Sequence, residues 1–185
     1  LKHFIGIQND ITKRKELEIE LEVDLNLAKS LQQLILSPPL SNKNIEIAGF
    51  YKPSHKLGGD VYKWVEIDQN LYSVFIIDVM GHGVSSALLT MSLNAVIISL
   101  IRQGIYSPAD IISKLNHHMF EIFPEKSKKN LRYYFTCVSL LIDTKQRKIE
   151  FVSAGHPSFI VVNDNKYDLI KSNAIPIGLL KELDL

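Results

Sequence analysis

Beyond residue 45, three strand-forming stretches, two helices and four more strand-forming stretches follow one another. This blockwise order constrains the fold more than any single motif. The first strands are expected at Glu46–Lys52, Val61–Ile67 and Tyr72–Val79, with Asp68-Gln69-Asn70 as the turn between the last two. A helix is predicted over Val84–Gln103, stopped by Gly104. A second is predicted over Pro108–Phe123, with Ser107 as its cap and Pro108 at the first position, where a missing N–H costs nothing. Pro124 closes it, and Lys126–Asn130 reads as a solvated basic loop. Strands resume at Arg132–Ile142 and Lys148–Ser153, joined near Thr144-Lys145-Gln146. Ser158–Val162 and Lys166–Leu169 then turn at Asn163-Asp164-Asn165. Strands grouped in hairpins around a helical block give an α+β layered fold with antiparallel sheets. A doubly wound parallel sheet needs strand and helix to alternate.

The N-terminal part has a different character. His3–Gln8 reads as a strand too short to stand alone, and Asn9-Asp10-Ile11-Thr12 suits a helix start. Lys15–Leu36 contains no Gly or Pro, and its apolar residues Leu17, Leu21, Leu25, Ala28, Leu31 and Ile35 recur every three or four positions. Such a rod, roughly 30 Å long, with a narrow apolar stripe suits a two-helix coiled coil and hence a homodimer. Packing against its own domain is the other reading, and Asp24 at a seam position weakens the coiled coil. Ser37-Pro38-Pro39 must end the helix, which puts a domain boundary near Pro39–Lys43.

Composition narrows the function classes. With 185 residues and 46% hydrophobic content the chain can bury a sizeable core. A net charge of +1 argues against nucleic acid as a partner, because phosphate backbones demand a basic surplus. The one cysteine, Cys137, lies in an apolar run and reads as a buried thiol, so a reducing, cytoplasmic setting fits. No uninterrupted apolar run approaches the ~18–20 residues of a membrane span. Ala87–Ile101 is broken by Thr90, Ser92, Asn94 and Ser99 and reads as a buried helix, so no membrane contact is expected in this segment.

Two glycine-flanked aspartates carry the chemical signal. Gly58-Gly59-Asp60 precedes a strand, where it could be an ordinary turn or a turn that aims a carboxylate. Asp78 ends a strongly apolar strand, and a carboxylate there needs a partner. Gly81-His82-Gly83 follows at a strand-to-helix corner, a place suited to anions. The dinucleotide fingerprint fails at Ser86, and the Gly-Lys-Ser/Thr of a P-loop is missing. What remains is a pair of hard oxygen ligands suited to magnesium or manganese, and two such ions can activate water against a phosphoryl group. Histidines 82, 117, 118 and 156 fit no zinc spacing. His156, in the turn Ala154-Gly155-His156-Pro157, either bonds a loop or positions the corner. Gly-x-Ser-x-Gly does not occur.

The segments Tyr51-Lys52-Pro53-Ser54, Leu57-Gly58-Gly59-Asp60-Val61-Tyr62, Asp78-Val79-Met80-Gly81-His82-Gly83-Val84, Ala154-Gly155-His156-Pro157 and Ile175-Pro176-Ile177-Gly178 stand in the order seen in PPM-type phosphatases. They most resemble the bacterial SpoIIE and RsbU branch, over about residues 28–185. Ala28–Leu36 resembles the regulatory linker helix of that branch. Residues 3–16, including Phe4-Ile5-Gly6-Ile7-Gln8, resemble the end of a PAS sensor domain. The resemblance implies a PAS remnant at 1–10, a linker or coiled-coil helix at 11–40, and a phosphatase domain at 41–185. It implies an αββα sandwich with a cleft for two Mn2+ or Mg2+ ions. Asp60 and Asp78 would be ligands, with Asp78 bridging and the Val79 carbonyl on one ion, and Gly81, His82 and Gly83 would lie towards substrate. Water would be the nucleophile, with no phosphoenzyme. The implied substrate is a phosphoserine or phosphothreonine on a STAS-type antagonist of an anti-sigma factor, with an upstream sensor acting through the linker. Two features depart from the family. Lys63 and Trp64 stand where many relatives carry another acid, and the later Thr-Asp-Gly segment and final aspartate are not present by Leu185. The domain is therefore expected to be C-terminally incomplete and this chain weakly active or inactive. A catalytically silent, partner-binding scaffold is the alternative.

Overall fold

Alternation along four strands gives the central sheet one largely apolar face. The computed structural model describes residues 9–123, 133–164 and 166–185. Its main sheet is antiparallel throughout, in the order β3 (Asp60–Glu66), β4 (Leu71–Val79), β5 (Phe135–Asp143), β6 (Lys148–Ala154). Register places Val61, Ile77, Cys137 and Ala154 in one row across it. These residues, with Phe75, Val79, Phe135 and Val152, are buried in the core. Helices α2 (Val84–Arg102) and α3 (Pro108–Ile122) cover this face, α2 over β3 and β4 and α3 over β5 and β6. They contribute Leu89, Leu93, Ile97, Ile111, Ile112, Leu115 and Met119.

Local chemistry sets the helix ends. The Ser107 hydroxyl accepts from the Asp110 N–H at 3.4 Å, with Pro108 in the first turn. Gly104, at φ +82°, turns the chain out of α2. Alone in the described residues, α2 is long and apolar enough to cross a membrane by length and composition. No continuous run of that kind was expected, because polar residues interrupt it. Its apolar character is explained by packing against the sheet; of the polar interruptions, fully buried Thr90 donates to the Ala87 carbonyl at 2.8 Å, while Asn94 Oδ1 is buried without a partner among the described residues.

Two small antiparallel ladders complete the α+β architecture: β1 (Leu40–Ser41) with β2 (Glu46–Ile47), and β7 (Phe159–Asn163) with β8 (Lys166–Ile170). The strand expected over Glu46–Lys52 is confined to Glu46–Ile47. At Gly49 the chain lies flat on the Tyr62 ring, so close that a Cβ would sit 2.5 Å from it. The predicted strand at His3–Gln8, the loop at Lys126–Asn130, Arg132 and Asn165 lie outside the described residues.

Helix α1 (Thr12–Leu34) begins three residues before, and ends two before, the predicted Lys15–Leu36. Every residue from 11 to 24 is exposed, and the stripe residues Leu17, Leu21 and Leu31 remain open. The last turns of α1 pack on the domain through buried Gln32 and half-buried Ile35 and Leu36, and higher up the helix Glu22 pairs with Lys56 at 2.8 Å. Leu93 is fully enclosed between helix and sheet. Leu93→Ala should therefore cost about 2–5 kcal/mol in urea unfolding, and a loss under 1 kcal/mol would show that the site collapses freely.

Candidate metal centre

The β3–β4 register sets Asp60 directly opposite Asp78. Both side chains thus project from the sheet face opposite the helices, at one end of the hairpin. The next strand continues the row, because Asp78 pairs with Thr136 on β5. Just past the end of β6, His156 closes it, its Nδ1 lying 2.8 Å from the Thr136 hydroxyl oxygen. An open cleft of about 360 Å3 lies over this row, lined by Asp60, Asp78 and His156 together with Phe50, Tyr62 and Ile76.

Like charges placed directly across a ladder repel, and the electrostatics show it. Burial first, then the charge of Asp78 and a hydrogen bond between the two carboxyls, hold the Asp60 pKa above the ordinary carboxylate value; His156 pulls it partly back. A pair of carboxyls that resists ionising together is a site a divalent cation stabilises. The donors are hard oxygens, and the cleft has room for an ion that keeps part of its water shell. The residues present therefore fit magnesium or manganese. They form a partial ligand set: no group of three or more His, Cys, Asp or Glu is assembled for a metal among the described residues.

The other expected site residues lie around this pair. Gly59 packs so tightly that a Cβ would stand 2.5 Å from the Val79 carbonyl oxygen and 3.1 Å from that of Gly81. The Val79 N–H donates to the Gly59 carbonyl at 3.0 Å. Val79 O thus lies beside the Asp60 turn, although Val79 is not among the residues lining the cleft. Gly81 (φ +91°) and Gly83 (φ +87°) make the corner into α2, and Gly83 caps that helix without a side-chain bond. Exposed His82 stacks on His55 with ring centroids 4.5 Å apart. This corner adjoins the cleft but does not line it.

Lys63 has a different place from the one its position in the motif suggested. Alternation turns it to the helix side of the sheet, away from Asp60. There its ammonium donates to the Ile35 carbonyl at 3.0 Å, and burial lowers its pKa. It caps the end of α1 and puts no charge into the cleft.

Three polar contacts were not anticipated from the sequence. Gln32, 2% exposed, pairs its side-chain amide with the Gly58 backbone, donating to the carbonyl at 2.6 Å and accepting from the N–H at 3.2 Å. The Ser37 hydroxyl oxygen both donates to the Trp64 carbonyl (2.9 Å) and accepts from the Trp64 N–H (3.0 Å), satisfying groups on edge strand β3. Thr136 holds His156. A signal existed for Gln32, which falls four residues after Ala28 and three before Ile35, on the inward face of α1. For Thr136 only the three-dimensional register reveals the role.

Comparison with known proteins adds to this geometry. The family described as Stage II sporulation protein E (SpoIIE) matches residues 68–185, a span that includes Asp78 and starts after Asp60. The phosphoserine phosphatase RsbP of Bacillus subtilis (strain 168) is 34% identical over 171 residues, covering 92% of this chain and 42% of RsbP. The phosphoserine phosphatase RsbU of the same organism is 22% identical over 168 residues, covering 89% of this chain and 48% of RsbU. The chain thus spans less than half the length of these relatives. The SiaA-PP2C domain of Pseudomonas aeruginosa has the same fold, with a TM-score of 0.71 at 22% identity over 91% of this chain and 65% of that one.

Gln32→Ala leaves the Gly58 backbone groups without their partner and should cost about 1–3 kcal/mol, read by urea unfolding; an unchanged midpoint would show that water replaces the amide. Because the folded-state pKa of Asp60 is raised, the metal-free fold gains from protonating it. That gain is full at low pH and is lost as pH rises from the unfolded value of 3.8 through the higher folded one. Asp78→Asn should therefore raise the Tm of metal-free protein at neutral pH and flatten this pH dependence. A lower Tm would mean that the two carboxyls do not repel.

Proposed function

This chain belongs to the SpoIIE/RsbU branch of the PPM-type phosphatases, and from that premise we propose that it forms the core of a metal-dependent phosphoserine/phosphothreonine protein phosphatase of bacterial signalling. The observation that carries the reading is the Asp60–Asp78 pair, opposed in register at the floor of an open cleft. Asp60 and Asp78 hold the metal, two Mn2+ or Mg2+ ions in the complete domain, with the Val79 carbonyl as a further ligand. Such ions, when bound, activate water and neutralise charge on a phosphoryl group. Gly81, His82 and Gly83 leave the N-terminal N–H groups of α2 open towards an anionic substrate. Cys137 has no part in the chemistry: it is fully buried and burial pushes its thiol pKa up, so thiolate attack is disfavoured and a reducing, cytoplasmic setting suits it.

The substrate we propose is a phosphorylated STAS-type antagonist of an anti-sigma factor. The open apolar stripe of α1 supports a homodimer, and an upstream sensor would act through that helix. Its last turn is bonded to the turn and strand that carry Asp60, through Gln32 to Gly58 and Lys63 to Ile35, so a shift of α1 is felt at the site.

A second reading, a phosphatase-like scaffold without catalysis, is favoured by the partial ligand set among the described residues. Lys63 gives it no support, since its ammonium faces away from the cleft. The two readings part in the full-length protein. Asp78→Asn should lower phosphoserine hydrolysis by several orders of magnitude, because it removes a charge that holds metal; near-normal activity would refute the site. A full-length protein that binds no manganese by calorimetry would establish the scaffold. The 185-residue chain itself should turn over weakly or not at all.

A further inference from the structure

His156 is held more firmly than a loop histidine needs to be. Gly155 sits at φ +64°, and a Cβ there would collide with the Pro176 ring. Its N–H donates to the Ala174 carbonyl and to the Ser172 hydroxyl, each at 2.8 Å. A parallel bridge joins Ala154 to Ala174. This corner delivers the imidazole to the end of the row Asp60–Asp78–Thr136, where it lines the carboxylate cleft.

The tautomer follows from the partners. Thr136 Oγ1 has no other hydrogen-bond partner among the described residues, so its proton is assigned to Nδ1 of His156 at 2.8 Å. The ring proton then sits on Nε2, which has no protein partner among the described residues. The result is a fixed, unpartnered N–H donor in a cleft lined also by the Asp60 and Asp78 carboxylates, which can only accept when ionised, and by Tyr51, Lys52 and Tyr62.

We propose that His156 is a substrate-binding residue, whose Nε2–H donates a hydrogen bond to a phosphoryl oxygen held over the Asp60–Asp78 pair. This rests on the phosphatase reading above. The carboxylates collect metal and would repel a bare phosphoryl group. A neutral donor at the end of their row adds attraction for phosphate without competing for the metal, and fixes which way the phosphoryl group is turned. Thr136 is then a positioning residue, acting through the ring it orients.

The test uses the full-length protein, with inorganic phosphate as the probe and manganese affinity measured separately by calorimetry. His156→Asn supplies an amide near the position of Nδ1 and removes the Nε2 donor; His156→Gln reaches the Nε2 position. His156→Asn should weaken inhibition by phosphate by roughly tenfold or more, the loss expected for a hydrogen bond to a charged group, while manganese affinity and Tm stay near wild type. His156→Gln should recover most of the phosphate affinity. An unchanged phosphate inhibition constant in His156→Asn overturns the proposal. So does a parallel loss of Tm and manganese affinity in both variants, which marks a structural histidine. If the wild-type protein binds neither manganese nor phosphate, the phosphatase reading itself fails and takes this proposal with it.

Discussion

Two carboxylates forced into register across a hairpin are the constraint on which the rest of the site depends. The β3–β4 ladder has no freedom to separate them: a slip of one residue would turn Val61, Phe75 and Ile77 out of the core. The apolar face therefore holds Asp60 against Asp78 despite their repulsion. Stability is given up locally and recovered from the helix-covered core. The Gly59 turn adds to the constraint, because its Cα rests on the Val79 and Gly81 carbonyls and leaves no room for a side chain.

The edge of the sheet is guarded by the segment that precedes it. Strand β3 is an edge strand, and its outward Trp64 N–H and carbonyl are both taken by Ser37. Gln32 does the same for Gly58, and Lys63 returns the favour by capping the end of α1 at Ile35. The end of α1 and the segment just after it thus protect an edge that would otherwise invite pairing with another chain. The remaining length of α1 carries an open apolar stripe, the seam of the proposed dimer. The same contacts that stabilise β3 join the end of α1 to the turn and strand that carry Asp60.

Much of this was legible in the sequence, for identifiable reasons. Both core helices and the turn at Asp68-Gln69-Asn70 were marked by caps, glycines and prolines that act locally, so their ends came out within a residue or two. The pairing of Asp60 with Asp78 followed once that turn was placed. Contacts made by burial at a distance were not legible. The close approach of Gly49 to Tyr62 depends on a ring that comes from another strand. Lys63 stands where many relatives carry another acid, and only the alternation of β3 from Asp60 onward sends it to the other face. The partnership of Thr136 with His156 spans β5 and the end of β6, and nothing near either residue announces it. The long apolar helix α2 shows the reverse case, where composition alone also fits a membrane span and packing decides.

The central claim is that Asp60 and Asp78 jointly hold a divalent cation. Crystals of the full-length protein soaked in manganese, with anomalous scattering recorded at the manganese edge, test it most directly. The account predicts a peak within coordination distance of both carboxylates. A saturating soak with no manganese peak at the two carboxylates, or a peak bound elsewhere with this cleft bare, would contradict it.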